Sequence, residues 1–205
     1  MLIVLVLLAI VAGARYGTAM IAAVAAAALP AMAIDAVMLR ATKQRWAFPS
    51  GALLTALIVA MILNPHSPWY VIAVTSLVGV LSKYVVRGHT ANVFNPAALA
   101  LVATFYVFNT AQNWWGALPE LPIAAIGMLL ATGVFITYKV NKVPVVIAFL
   151  GVYYLCATTA AFVGNPARFA DLYRAPDLHA ALYFAFFMVT DPPTSPPKYR
   201  KRSMQ

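Results

Sequence analysis

Eight apolar stretches, at about 1–14, 18–39, 51–63, 69–86, 95–110, 121–138, 143–163 and 178–190, follow one another with only short polar interruptions. This is the feature that most constrains the fold. A chain that is apolar nearly throughout has nothing with which to coat a water-facing surface. Only 9% of the 205 residues are charged and 63% are hydrophobic, whereas a soluble domain carries about 25% charged residues. A bilayer is the solvent that suits such a chain. In lipid every backbone N–H and C=O must find a partner within the chain, so an α-helical bundle is expected. The fold class is therefore all-α: a polytopic membrane helix bundle of about eight transmembrane helices.

Several stretches are shorter than the roughly 20 residues that cross a bilayer, so tilted, broken or shielded helices are expected among them. The start, Met1 to Val11, has no basic region before it and does not read as a cleavable signal; it reads as a membrane helix, or as one whose start is missing. One membrane domain spans 1–197, and 198–205 is a basic cytoplasmic tail.

The net charge of +9 has a simple origin in such a chain. With the amino terminus inside, the inner loops hold Arg40, Lys43, Arg45, Lys83, Arg87, Lys139, Lys142, Lys198, Arg200, Lys201 and Arg202. The outer loops hold only Arg15, Arg168 and Arg174. That asymmetry follows the positive-inside pattern. It places both termini in the cytoplasm of a multi-pass plasma-membrane protein and removes any need for a nucleic-acid partner. Trp69, Tyr70, Trp114 and Trp115 fall in the outer loops, where an aromatic belt is expected.

Titratable chemistry is sparse. Cys156 lies in an apolar run and reads as a small core residue. His66, His89 and His179 are scattered, and no Cys/His cluster has metal-ligand spacing. There is no phosphate loop, nucleophile elbow or pair of catalytic carboxylates, so no catalytic residue and no metal site is expected. Asp35, inside the second stretch, is expected to pair with Arg40.

Three polar motifs interrupt the apolar background, all on the inner side of this topology. Pro49-Ser50-Gly51-Ala52-Leu53-Leu54-Thr55 opens the third stretch, where Ser50 is expected to cap a helix. Gly88-His89-Thr90-Ala91-Asn92-Val93-Phe94-Asn95-Pro96 opens the fifth, with Asn95 as a helix cap and Pro96 at the first helical position. The amides of Asn92 and Asn95 also offer donors and acceptors that match a ring edge of alternating polarity. Thr190-Asp191-Pro192-Pro193-Thr194-Ser195-Pro196-Pro197 closes the eighth stretch. A carboxylate there is costly and implies a partner, with Lys83 and Lys198 available. The motif-bearing runs 50–65 and 179–192 resemble each other faintly and cross in opposite directions, as copies in an inverted repeat do.

At these motifs the sequence resembles a known family, NqrB/RnfD, whose members are membrane subunits of the sodium-pumping NADH:quinone oxidoreductase and of the Rnf electron-transport complex. The likeness rests on SGALLTALIVAMILNPHSPWY, on Ser82-Lys83 leading to NVFNPAALA, and on FFMVTDPPTSP, in the same order and spacing. It implies two inverted five-helix repeats, incomplete here by about two helices. It implies a flavin, riboflavin or FMN, held non-covalently by Asn92 and Asn95 with Phe94 and Pro96 beside them. Ser50, Thr55, Lys83, Thr190 and Asp191 would line the same region. Covalent FMN is not expected, because the loop Asn109–Leu121 offers Thr110 as its one hydroxyl residue and lacks the surrounding motif. The function so implied is an electron-transferring subunit working with other membrane and redox subunits in the bilayer. The alternatives are a cofactor-free scaffold subunit and, less in keeping with so few buried charges, a channel.

Overall fold

The structure, a computed structural model, describes residues 1–43, 46–86, 92–121 and 124–191, without the side chains of Lys43, Ala167 and Arg168. Among the described residues there are eight α-helices and no strand: α1 Leu2–Tyr16, α2 Thr18–Lys43, α3 Ser50–Ile62, α4 Trp69–Val85, α5 Pro96–Phe108, α6 Ala124–Lys139, α7 Val143–Val163 and α8 Asp177–Tyr183. A π-helical turn, Phe184–Met188, prolongs α8. Each helix falls on one of the eight expected apolar stretches. Two of them, α2 and α7, are long and apolar enough to cross a membrane; the others, with α8 counted through its π turn to Met188, have 10–17 residues.

Hydrogen bonds between distant segments sort the helix ends into two poles. At one pole Tyr84 donates to Asp35, Lys83 to the Gly51 carbonyl and Asn95 to the Met188 carbonyl. The end of α2, the start of α3, the end of α4, the start of α5 and the end of α8 therefore meet there. At the opposite pole Tyr16 donates to Asn113, the backbones of Leu63 and Gln112 pair, and His179 Nδ1 lies 2.9 Å from the Ala117 carbonyl. The helices thus alternate in direction, and α3 and α8 run in opposite senses. The described parts of the three polar motifs share the first pole, called here the motif pole.

Helix α3 is the axis of the core. Nine of its 13 residues are buried, including an unbroken run from Thr55 to Ile62. The outer surface is also apolar: Ile3, Ile10, Leu29, Val102, Ile147, Val152 and Leu155 are all exposed. A soluble monomer rarely presents large contiguous apolar patches, and so apolar a surface is consistent with a bundle placed in lipid.

Two expectations about single residues are corrected. Trp115 is not a belt residue: it is 1% exposed and its indole N–H donates to the Ala60 carbonyl at 2.7 Å. The turn Trp115–Ala117 folds back under the end of α3, and a buried indole needs one partner for its single donor. Trp69 and Tyr70 do lie exposed. Cys156 is exposed and not a core residue, because α7 buries only Val146 and turns the rest of its length outward.

Candidate functional site

The motif pole is built by local sequence chemistry. Pro96 starts α5 at a position where its missing N–H is not needed. Asn95 precedes it with extended backbone, and its side-chain oxygen accepts the Ala98 N–H at 3.0 Å. The same side chain spends one amide N–H on the Met188 carbonyl, 3.0 Å away. Met188 ends the π turn, and its carbonyl also receives the Asp191 N–H at 3.4 Å. Asn95 therefore ties the second motif to the third.

The first motif joins through α4. A Cβ placed on Gly79 would lie 3.0 Å from Thr55 Cγ2 and 3.2 Å from the Pro96 carbonyl. The missing side chain at residue 79 eases the close approach of α3, α4 and α5. Thr55 is buried and returns its hydroxyl to the Gly51 carbonyl at 3.1 Å. Lys83 reaches the same Gly51 carbonyl at 2.7 Å. Ser50 does not cap α3: Pro49 holds the cap position without a side-chain bond, and Ser50 is exposed as the first helical residue.

The carboxylate charge at this pole is internal. Asp35 and Asp191 are both buried, at 5% and 6% exposure, and both act electrostatically on Lys83. Asp35 does not pair with Arg40; it accepts the Tyr84 phenol at 2.7 Å. Residue 40 lies more than one helical turn along α2 from residue 35 and is exposed, whereas Tyr84 comes across from α4. Asp191 is expected to find a cationic partner, and its charge acts on Lys83; Lys198 lies outside the described residues. Thr190 is buried and bonds back to the Phe186 carbonyl.

The remaining site residues differ from these. Asn92 is half-buried and Phe94 is 55% exposed. Val93 connects back to α4 through its N–H to the Val86 carbonyl at 3.4 Å. Pro96 is buried. Residues 87–91 and 192–197, the rest of the second and third motifs, lie outside the described residues. The structure thus brings Thr55, Lys83, Asn95, Pro96, Thr190 and Asp191 together as packing and hydrogen-bonding parts, and leaves Ser50 and Phe94 exposed and Asn92 half-buried. Asp35, Tyr84 and the Met188 carbonyl were missed as parts of this pole. The adjacency of Tyr84 to Lys83 was the one signal available; a backbone carbonyl gives none.

A flavin makes two demands on such a pole. Its pyrimidine edge needs alternating donors and acceptors, and its ring needs a flat apolar face. Asn92 and the exposed ring of Phe94 meet those needs, while Asn95 retains one amide N–H. A groove of about 760 Å³ along α7 does not: it is lined by Val145, Phe149, Val152, Tyr153, Cys156 and Val189 among others, a wall too apolar for a polar ring edge.

Residues 1–122 match the NQR2, RnfD, RnfE family. Among curated proteins the chain is similar to an ion-translocating oxidoreductase complex subunit, RnfD, of Klebsiella pneumoniae (strain 342), with 32% identity over 133 residues, 60% of this chain and 37% of that protein. The proteins of the same name from Pseudomonas aeruginosa (strain LESB58) and Salmonella paratyphi A are 32% identical over 121 residues and 33% over 103. They are covered over 33% and 29% of their own lengths, and this chain over 55% and 48%. The matches thus span about a third of those relatives.

Proposed function

The chain belongs to the NQR2, RnfD, RnfE family, and on that premise we propose that it is a membrane subunit of an ion-translocating oxidoreductase complex, holding a flavin non-covalently at its motif pole. The observation that carries this reading is the convergence of the described parts of three separated motifs at one pole, with Asn92 half-buried and the Phe94 ring exposed beside it. Asn92 would meet the polar edge of the ring, Phe94 would cover one face, and the remaining N–H of Asn95 would supply a further donor. A bound flavin would contribute one-electron chemistry; the chain contributes position and hydrogen bonds that tune its potential. The motif pole would face the cytoplasm, following the basic residues gathered there. The eight helices would be membrane-embedded, with α3 and α8 in corresponding places of an incomplete inverted repeat. Other membrane and redox subunits of the complex would be its partners.

One observation favours a second reading, a cofactor-free scaffold subunit. Asn95, a leading flavin contact, already bonds Ala98 and Met188 and is needed by the fold itself. The absorption spectrum of the purified complex, before and after denaturation, separates the two. Flavin that is released on denaturation, and that is lost in Asn92→Ala while the subunit still assembles, supports the first. A complex without flavin, with electron transfer unchanged in Asn92→Ala, supports the scaffold and ends the flavin reading.

A further inference from the structure

The groove of about 760 Å³ along α7 is too apolar for a flavin edge, but its form suits another ligand. Its lining residues Val145, Phe149, Val152, Tyr153, Cys156 and Ala160 recur every three or four positions, so they make one stripe down the helix. The stripe is open to the surroundings, since α7 buries only Val146. Ring stacking fixes its floor: Phe149 lies 5.3 Å from Phe184 and 6.0 Å from Tyr153, nearly parallel to both. The groove is thus a preformed apolar channel along a helix of membrane-crossing length.

One mouth of this channel is basic. Val189, which follows the π turn at the motif pole, lines the groove together with Val145, so α7 starts at that pole. The turn before it carries Lys139, the last residue of α6, and Lys142, the N-cap of α7. Lys142 precedes Phe149 by two helical turns and so heads the same stripe. Lys139 is exposed, with its ammonium 5.9 Å from the Phe135 ring centroid, and Tyr138 beside it is 78% exposed. The backbone of this turn is tied down: Asn141 takes a left-handed φ of 56°, and the Lys142 N–H bonds the Thr137 carbonyl at 3.0 Å. Helix α7 has 21 residues, which at about 1.5 Å each make about 32 Å. That matches a hydrocarbon core of about 30 Å, so both lysines sit at headgroup depth. The chain's other charges leave them there as the local sign. Glu120, Asp171 and Asp177 are exposed at the opposite pole, and Asp35 and Asp191 are buried.

We infer that the α7 groove is a binding site for an anionic phospholipid, with an acyl chain lying along the stripe and the phosphate meeting Lys139 and Lys142. Lysines clustered at headgroup depth draw anionic lipid, and an exposed tyrosine beside them belongs at the same interface. The channel below them gives the chain a seat that a smooth helix face lacks. A partner helix could cover the same stripe, but a basic turn at its head answers a phosphate at the depth where phosphates lie. The site depends on bilayer residence and not on a bound flavin, so it stands or falls separately from the redox reading.

The test uses the full chain in lipid vesicles, with a bimane fluorophore on Cys156, the single cysteine of the chain and part of the groove wall. Chain-brominated phosphatidylglycerol and phosphatidylcholine are compared as quenchers at equal mole fraction. The expected result is that the anionic lipid quenches at least about two-fold more strongly, since cations near the surface favour it. The same fluorophore in Leu155→Cys/Cys156→Ser, at equal depth but outside the groove on a position 68% exposed, should show no preference. Lys139→Gln/Lys142→Gln should remove the preference at Cys156 while quenching by the neutral lipid persists, and Lys139→Arg/Lys142→Arg should keep it. Equal quenching by both lipids at Cys156, or an equal preference at residue 155, overturns the site. A preference that survives the Gln pair overturns the role of the lysines. Quenching by neither lipid at Cys156, with residue 155 quenched by both, overturns lipid occupancy and gives the groove to a protein partner.

Discussion

Helices α3 and α7 are both almost wholly apolar, yet they occupy opposite environments. Of 13 residues in α3, nine are buried; of 21 in α7, only Val146 is. The difference lies in what the flanking residues do. At its start α3 is tied by Lys83 to Gly51, and at its end by Trp115 to Ala60 and by the backbone of 112–114 to Ile62 and Leu63. By contrast α7 is held along one edge, by the Phe149–Phe184 ring stack at 5.3 Å and by Tyr154 on Tyr173 at 5.1 Å. Apolarity admits a helix to a bilayer protein; polar ties and close approach decide whether it is core or periphery.

Substitutions can break or sharpen this contrast. The largest expected effect is Trp115→Ala, which empties a buried site and leaves the Ala60 carbonyl unpaired at the end of α3; a loss of about 3–5 kcal/mol is expected. Trp69→Ala, at an exposed ring, should cost far less. Unfolding midpoints in denaturing detergent check both, and a similar loss in the two would mean that α3 is not the axis of stability.

Next come two glycines. A Cβ on Gly133 of α6 would run into the Phe186 ring, whereas Gly151 of α7 has nothing within 4 Å. Gly133→Ala should cost about 1–3 kcal/mol through overpacking, and Gly151→Ala should be neutral or slightly stabilising. If Gly151→Ala destabilised as much, α7 would be packed against something in the assembled protein, and crosslinking from Cys156 would then identify it.

Asn95→Ala removes a cap and the bond to Met188 together. A loss of about 1–2 kcal/mol is expected, measured on the same detergent transition, with proteolysis near the end of α8 rising in parallel. Asn92→Ala should leave stability within about 0.5 kcal/mol, as a surface change does. Smallest of all is Val152→Ala on the outer face of α7, also expected within about 0.5 kcal/mol, against Ile58→Ala in α3, where about 2–4 kcal/mol is expected.

Much of the fold was legible because apolar runs and punctuation are local. The eight runs became eight helices, and Asn95-Pro96 became the cap and first residue of α5. Local chemistry misled where a distant partner intervened. Ser50 looked like a cap, but Pro49 takes that position. Asp35 looked like a partner for Arg40 until Tyr84 arrived from another helix. Trp115 looked interfacial because it lies in a loop, and a loop can fold inward when a carbonyl such as that of Ala60 waits for its donor. Cys156 looked buried because its neighbours are apolar, and apolar neighbours are what a lipid-facing helix has too.

What the sequence determined by itself was the helical, lipid-suited character of the chain, the alternating direction of its helices and the gathering of the motifs at one end. These follow from periodicity, length and charge, which act within a segment or between neighbouring loops. Only the tertiary structure decided which apolar helix is core, which carboxylate is buried beside which hydroxyl, and that Asn95 spans two motifs 93 residues apart. Those outcomes depend on contacts between residues far apart in the chain, made by backbone carbonyls and glycine gaps that leave no mark in a one-dimensional pattern.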